Sequence, residues 1–318
     1  VSGTPPPERP STFADGVRLA IGTLSVFPVR PGVVDRRAGG IAMTLAPLVG
    51  VLLGAAGGAV LVAALWLGIT PLPASVLAVA AVALLTRGLH LDGLADLADG
   101  LGSGRPAEQA LDIMKRSDIG PFGVVTLVLT MLVQVAALSE VAATGAGPVA
   151  LVTACVAGRL ALTWACRAGV PSARPGGLGA MVAGTVRRGP ALAVTALMLA
   201  ALAALTFLPS AGAFGPPLPA PVPDGALSYE SGTCSAYETT GGIMAPSGLS
   251  GWTAAGPCPP VLSPSWGPAL AVLAGLVAAW ALRRRAVRRL GGITGDVLGA
   301  LVETAVATAL VVCAVVVG

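Results

Sequence analysis

The chain has 318 residues, 55% of them hydrophobic and only 11% charged, with a mean hydropathy of +0.85. That balance excludes an ordinary soluble domain and predicts an all-α polytopic membrane bundle, because helices satisfy their own backbone in lipid and no barrel-like alternation is present. The net charge of +4 is dispersed at the ends of apolar runs, without a basic face interleaved with aromatics, so nucleic acid is not an expected partner; a single His, five Cys and no CxxC exclude most zinc and haem schemes.

Residues 1–40 read as a tail with an amphipathic stretch, Phe13 to Val29, that lies in the interface or packs under the bundle. Its Pro-rich start lacks the basic region and apolar core of a cleavable signal peptide. About seven spans are expected. They are Ile41 to Leu67, Ala74 to Thr86, Pro121 to Ala143, Pro148 to Cys166, Pro190 to Leu208, Trp266 to Leu282 and Val297 to Val317. Residues 41–208 thus form the main bundle, with a catalytic segment at 87–120, and residues 265–318 supply the last two helices.

Between them, residues 209–264 are a Pro/Gly/Ser-rich loop without Lys or Arg. With a cytoplasmic N-terminus, every one of the 19 basic residues falls on the inner side except Arg159, which lies within a span. This asymmetry predicts a multi-pass membrane protein whose site faces the cytoplasm. Cys234 and Cys258 fall in the outward loop, where an oxidising compartment would allow a disulfide.

The chemistry concentrates in Arg87 to Gly123, which holds the only histidine, His90, and six acidic residues. Asp92, Asp96 and Asp99 recur at i, i+4 and i+7, stacking three carboxylates on one helical stripe. Such like charges repel, and a hard divalent cation, Mg²⁺ with Mn²⁺ as a substitute, would relieve them. Asp296 and Glu303 form a second pair on one face of the last span, behind Gly291, Gly292 and Gly295. Either they join the metal site, or Glu303 pairs with Arg159. Lys115, Arg116 and Ser117 suit phosphate oxygens, but cations at that place also obey the positive-inside rule. His90, two residues before Asp92, could be a general base, a ligand or an interfacial hydrogen-bonder. Carboxylates, a cation and a metal in a membrane point to phosphoryl transfer onto an alcohol.

Three stretches carry a resemblance: HLDGLADLADG at His90 to Gly100, IMKRSDIGPFG at Ile113 to Gly123, and GGITGDVLGALVE at Gly291 to Glu303. They resemble the cobalamin synthase family, the adenosylcobinamide-GDP ribazoletransferases, over most of the chain outside the 209–264 loop. The resemblance implies a Mg²⁺-dependent transfer of the cobinamide-phosphoryl group of adenosylcobinamide-GDP to α-ribazole or its 5′-phosphate, with GMP leaving. It further implies that Asp92, Asp96 and Asp99 hold the metal with Asp296 and Glu303. Lys115, Arg116 and Ser117 would contact phosphates, and His90 would be the base; Arg159, a cation within a span, is a further phosphate-binding candidate from its position alone.

One departure stands out. The family often reads Lys-Asp-Ser-Arg-Ile-Gly where this chain has Lys115-Arg116-Ser117-Asp118-Ile119-Gly120, which leaves the roles of Arg116 and Asp118 open. Two alternatives are a CDP-alcohol phosphotransferase, whose Asp spacing differs, and an ion-coupled transporter, for which no inverted repeat is visible. Homo-oligomerisation is left open.

Overall fold

The computed structural model describes residues 9–30, 32–116, 118–206, 233–234, 256–257 and 266–317. Helix dominates them, as the composition requires; the exception is a two-residue antiparallel pair, β1 (Thr233–Cys234) with β2 (Gly256–Pro257). Cys258 lies outside the described residues, and the expected disulfide with it.

The first helix, α1 (Phe13–Leu24), starts at a capping box in which Thr12 and Asp15 each accept from the other's backbone N–H. Asp15 is buried beside Arg9, at 3.0 Å, and Arg18, at 3.6 Å. This dense bonding draws its carboxyl far below the usual range, chiefly through the hydrogen bonds from Thr12 and then those from Arg9. Asp35 caps α2 (Arg36–Trp66) by accepting from the Ala38 N–H at 2.7 Å and also takes the Ser11 hydroxyl at 2.7 Å; these bonds lower its pKa. The polar N-terminal segment is thereby tied to the base of the bundle.

At 31 residues α2 is the longest helix, roughly 46 Å by its rise, against a hydrocarbon core of roughly 30 Å. It packs along α7 (Gly147–Ala165) through a stripe of small residues: a Cβ at Gly50 would sit 2.6 Å from the Cys155 carbonyl, and one at Gly54 2.5 Å from the Val152 Cα. Small residues at this spacing let two backbones approach where lipid offers no hydrophobic drive. Within its apolar stretch α7 is 78% buried, so it is the central post. Around it stand α2, α6 (Pro121–Ala143), α10 (Gly267–Leu290) and α11 (Gly295–Val317), with α9 (Arg188–Thr206) outside.

Among the described residues five helices are long and apolar enough to cross a membrane: α2, α6, α7, α9 and α11. A sixth span results only if α3 (Pro71–Leu85) and α4 (Leu89–Gly102) are taken together, and these meet at 88°. The count therefore differs from the seven expected. The run assigned as the second span is the 15-residue α3, about 22 Å long, too short alone for the hydrocarbon core. The run at Trp266 to Leu282 is helical in α10, but that helix ends in five arginines. Arg87, with φ of 55°, and Gly88, with φ of 66°, make the turn that swings α4 across the base of the bundle. Two short helices, α5 (Ala107–Ile113) and α8 (Gly177–Val182), complete that base.

Candidate active site

The site begins with a seam between α4 and α11. A Cβ at Gly93 would lie 2.8 Å from the Asp296 carbonyl oxygen, and one at Gly299 3.0 Å from that of His90. Neither position has room for a side chain, so the two backbones touch. Contact at Gly93 sets Asp92 and Asp96 of α4 beside Asp296 in the first turn of α11. Asp96 is flanked by the charges of Asp92, Asp296 and Asp99, opposed by Arg174.

A second junction closes the other wall. The Ile293 N–H donates to the Pro171 carbonyl at 2.9 Å, and the Ala173 N–H returns a bond to Ile293 at 3.0 Å. Gly292 lies under this strand-like clasp, where a Cβ would come 2.4 Å from the Ala173 nitrogen. The clasp carries Arg174 to within 3.9 Å of Asp296, and Arg174 also donates to the Leu111 carbonyl. Thr294 caps α11, accepting from the Val297 N–H at 3.2 Å while its hydroxyl donates to Asp296 at 3.2 Å.

These pieces enclose a cavity of ≈ 320 Å³ lined by His90, Asp92, Arg174, Thr294 and Asp296, with the glycine-rich turn Gly176 to Gly179 at its edge. His90 is only 3% exposed, and neither ring nitrogen has a partner in the protein. A helix of uniform pitch would turn His90 away from Asp92; at the start of α4 both line the cavity. An imidazole so placed is free to meet a ligand's hydroxyl.

The predicted residues do not all gather here. Asp99 is turned toward α6, where its two oxygens accept from the Gly120 N–H at 2.7 Å and the Gly123 N–H at 2.9 Å. It caps that helix, and both glycines leave room for it: a Cβ at either would fall 2.4 Å from a carboxylate oxygen. Glu303 and Arg159 are also elsewhere. Seven residues along α11 separate Glu303 from Asp296, roughly 10 Å of rise. Glu303 accepts from the Gln134 amide at 2.8 Å and shares with Arg159 a separate chamber of ≈ 20 Å³. Arg159 is 1% exposed, and two of its guanidinium nitrogens, Nε and Nη2, are unpartnered.

Lys115 and Arg116 are exposed, Lys115 lies 3.8 Å from Asp112, and neither lines the cavity. Asp118 is exposed as well, and Ser117 falls outside the described residues. The cation at the carboxylates is Arg174. Sequence reasoning counted it only as one of the basic residues of the inner side.

Among the described residues no three acidic or histidine side chains converge as a ready-made metal cage. Mg²⁺ seldom needs one; it binds through one or two carboxylates and completes its shell with water and substrate phosphate. Hard oxygens of Asp92 and Asp296 at an open cavity, with Asp96 adjacent, suit that mode.

Comparison with known proteins agrees with the three motifs. Residues 16–314 match the family model described as cobalamin-5-phosphate synthase. The chain belongs to that family. It is 38% identical to the adenosylcobinamide-GDP ribazoletransferase of Frankia casuarinae, covering 92% of each chain. Its identity to the protein of that name from Nocardioides sp. is 35%, over 93% of this chain and 96% of the relative. The Corynebacterium efficiens protein of the same name is 32% identical over 95% of this chain and 92% of its own. No solved structure matches the chain. The match of the cobalamin-5-phosphate synthase family spans α4, the 171–174 clasp and the start of α11, the three pieces that build the cavity.

Proposed function

We propose that this chain is an adenosylcobinamide-GDP ribazoletransferase. It moves the cobinamide-phosphoryl group of adenosylcobinamide-GDP onto α-ribazole or α-ribazole 5′-phosphate and releases GMP, late in cobalamin biosynthesis. The carrying observation is the meeting of Asp92 and Asp296 with Arg174 and an unpartnered His90 around one cavity. The full-length likeness to ribazoletransferases agrees, and neither a CDP-alcohol phosphotransferase nor a transporter is favoured.

In this reading Asp92, Asp96 and Asp296 hold Mg²⁺, for which Mn²⁺ can substitute. The ion, when bound, neutralises diphosphate oxygens and the charge growing on the leaving phosphate. Arg174 adds a guanidinium to the same oxygens, held in place by the Leu111 carbonyl and Asp296. His90 accepts the proton of the attacking ribose hydroxyl at one of its ring nitrogens. The hydroxyl oxygen bonds to the cobinamide-linked phosphorus as the bond from that phosphorus to the oxygen of GMP breaks. Asp99 supports the site from behind by anchoring α6 to α4, and Lys115, Arg116 and Arg159 are left out of the reacting centre. We place the site on the cytoplasmic face of the bacterial inner membrane, following the basic residues.

The test is GMP release by the purified protein in nanodiscs, given donor and acceptor, with Mg²⁺ or EDTA. Release should require both substrates and the metal, and should vanish in Asp92→Asn and Asp96→Asn. Release indifferent to both aspartates from folded protein refutes the proposal.

A further inference from the structure

Sharing no lining residue with the acidic cavity, a groove of ≈ 330 Å³ opens between α7, α10 and α11. Its walls are apolar. Leu273, Val277 and Trp280 run along α10 at i, i+4 and i+7, exposed at 48%, 64% and 48%, and Leu301 of α11 forms the floor. Two arginines, Arg167 just beyond α7 and Arg283 of α10, line the groove at one end.

Arg283 is buried and donates one N–H to the Trp164 carbonyl at 3.1 Å. The cations acting on it are Arg167 and Arg284, and Arg284 lies over the Trp280 ring at 4.7 Å. Among the described residues none of these three arginines has a carboxylate partner. Topology alone asks for cations at a membrane face, but it does not ask for three to converge where an apolar groove ends. From Leu273 to Arg284 the stripe rises roughly 16 Å, so apolar and cationic ends lie within the reach of one lipid.

We infer that this groove binds an anionic phospholipid, its phosphate held by Arg167, Arg283 and Arg284 and an acyl chain lying along Leu273, Val277 and Trp280. Like charges left unpaired repel one another, and a phosphate supplies the missing anion with bidentate geometry. Basic pockets between membrane helices are a known physical solution for acidic headgroups, and tryptophan favours the same depth. The groove is independent of the reaction proposed above, so its test is made without activity.

Native mass spectrometry of the detergent-purified protein, titrated with phosphatidylglycerol or with phosphatidylcholine of the same chains, reads the site. Wild type should retain phosphatidylglycerol about tenfold better, as two to three surface guanidinium contacts allow. The exposed or half-buried pair Arg167→Gln with Arg284→Gln should lose that preference, and Val277→Trp, which fills the groove, should weaken both lipids. Arg187→Gln with Arg188→Gln removes the same charge elsewhere and should keep the preference. Equal retention of the two lipids by wild type overturns the proposal. So does a preference lost equally in both double variants, since it would then belong to net charge.

Discussion

The seam between α4 and α11 makes a demanding prediction at Gly93. Helix propensity alone says that Gly93→Ala should stabilise α4 by about 1 kcal/mol. Sterics say the opposite, because the new Cβ would lie 2.8 Å from the Asp296 carbonyl oxygen and 2.9 Å from its Cα. Ordinary contact begins at 3.4 Å, so the helices must part by about 0.6 Å or more, and both struck atoms are backbone that cannot rotate away. Overpacking of this kind costs about 1–3 kcal/mol, which exceeds the propensity gain. The larger consequence is catalytic, since the displacement falls between Asp92 and Asp296; a misplacement near 1 Å can cost about 100-fold in rate. Gly93→Ala should therefore lower kcat for GMP release by about 10- to 100-fold, with a lower Tm in the same nanodisc preparation. Gly189→Ala, where a Cβ meets nothing within 4 Å, should leave both unchanged. A Gly93→Ala protein with wild-type kcat and a raised Tm would mean that helix contact does not set the carboxylate geometry.

Removing the guanidinium in Arg174→Ala should reduce kcat about 100-fold or more, while Lys115→Ala, away from the cavity, should change it little in the same steady-state assay. Asp99→Asn should lower Tm through the loss of a charged cap, costing about 1–2 kcal/mol, yet leave the Mg²⁺ concentration for half-maximal activity unmoved; Asp92→Asn should raise that concentration sharply. Glu303→Leu leaves the buried Gln134 amide without its acceptor and should destabilise by about 1–3 kcal/mol in thermal unfolding, whereas Glu303→Gln, which keeps an acceptor oxygen there, should retain most of the stability. Asp15 and Asp35 are both depressed in the folded protein, so their contribution is complete above the unfolded carboxyl value of about 3.9 and is lost as pH falls below it toward the folded values. Melting curves should steepen in their acid dependence there, and Asp15→Asn should flatten them.

Much of this was legible in residues whose spacing is physical. The apolar runs announced the helices, and the three motifs contain Asp92, Asp96 and Asp296 together with the glycines that bring them into contact. What the run lengths could not reveal was the 88° turn at Arg87 and Gly88, because an apolar run says nothing about the direction of the helix after it. Arg174 was hidden for a different reason. Its place depends on backbone hydrogen bonds between segments some 120 residues apart, and no local period encodes such a clasp.

The carboxylate stripe of α4 shows where periodicity stops being informative. Positions i, i+4 and i+7 put Asp92, Asp96 and Asp99 along one edge of the helix, but their surroundings divide them. At Asp99 two backbone N–H groups of α6 already neutralise the anion, so a cation there would gain little. At Asp96 the neighbours are other acids, Asp92 and Asp296 among them, and Arg174 opposes them. Charge that the fold itself satisfies is a structural cap; charge the fold leaves in excess at an open cavity calls for a ligand. By that criterion the proposed metal site lies between α4 and α11, and Asp99, for all its place in the motif, bonds to the architecture that holds them there.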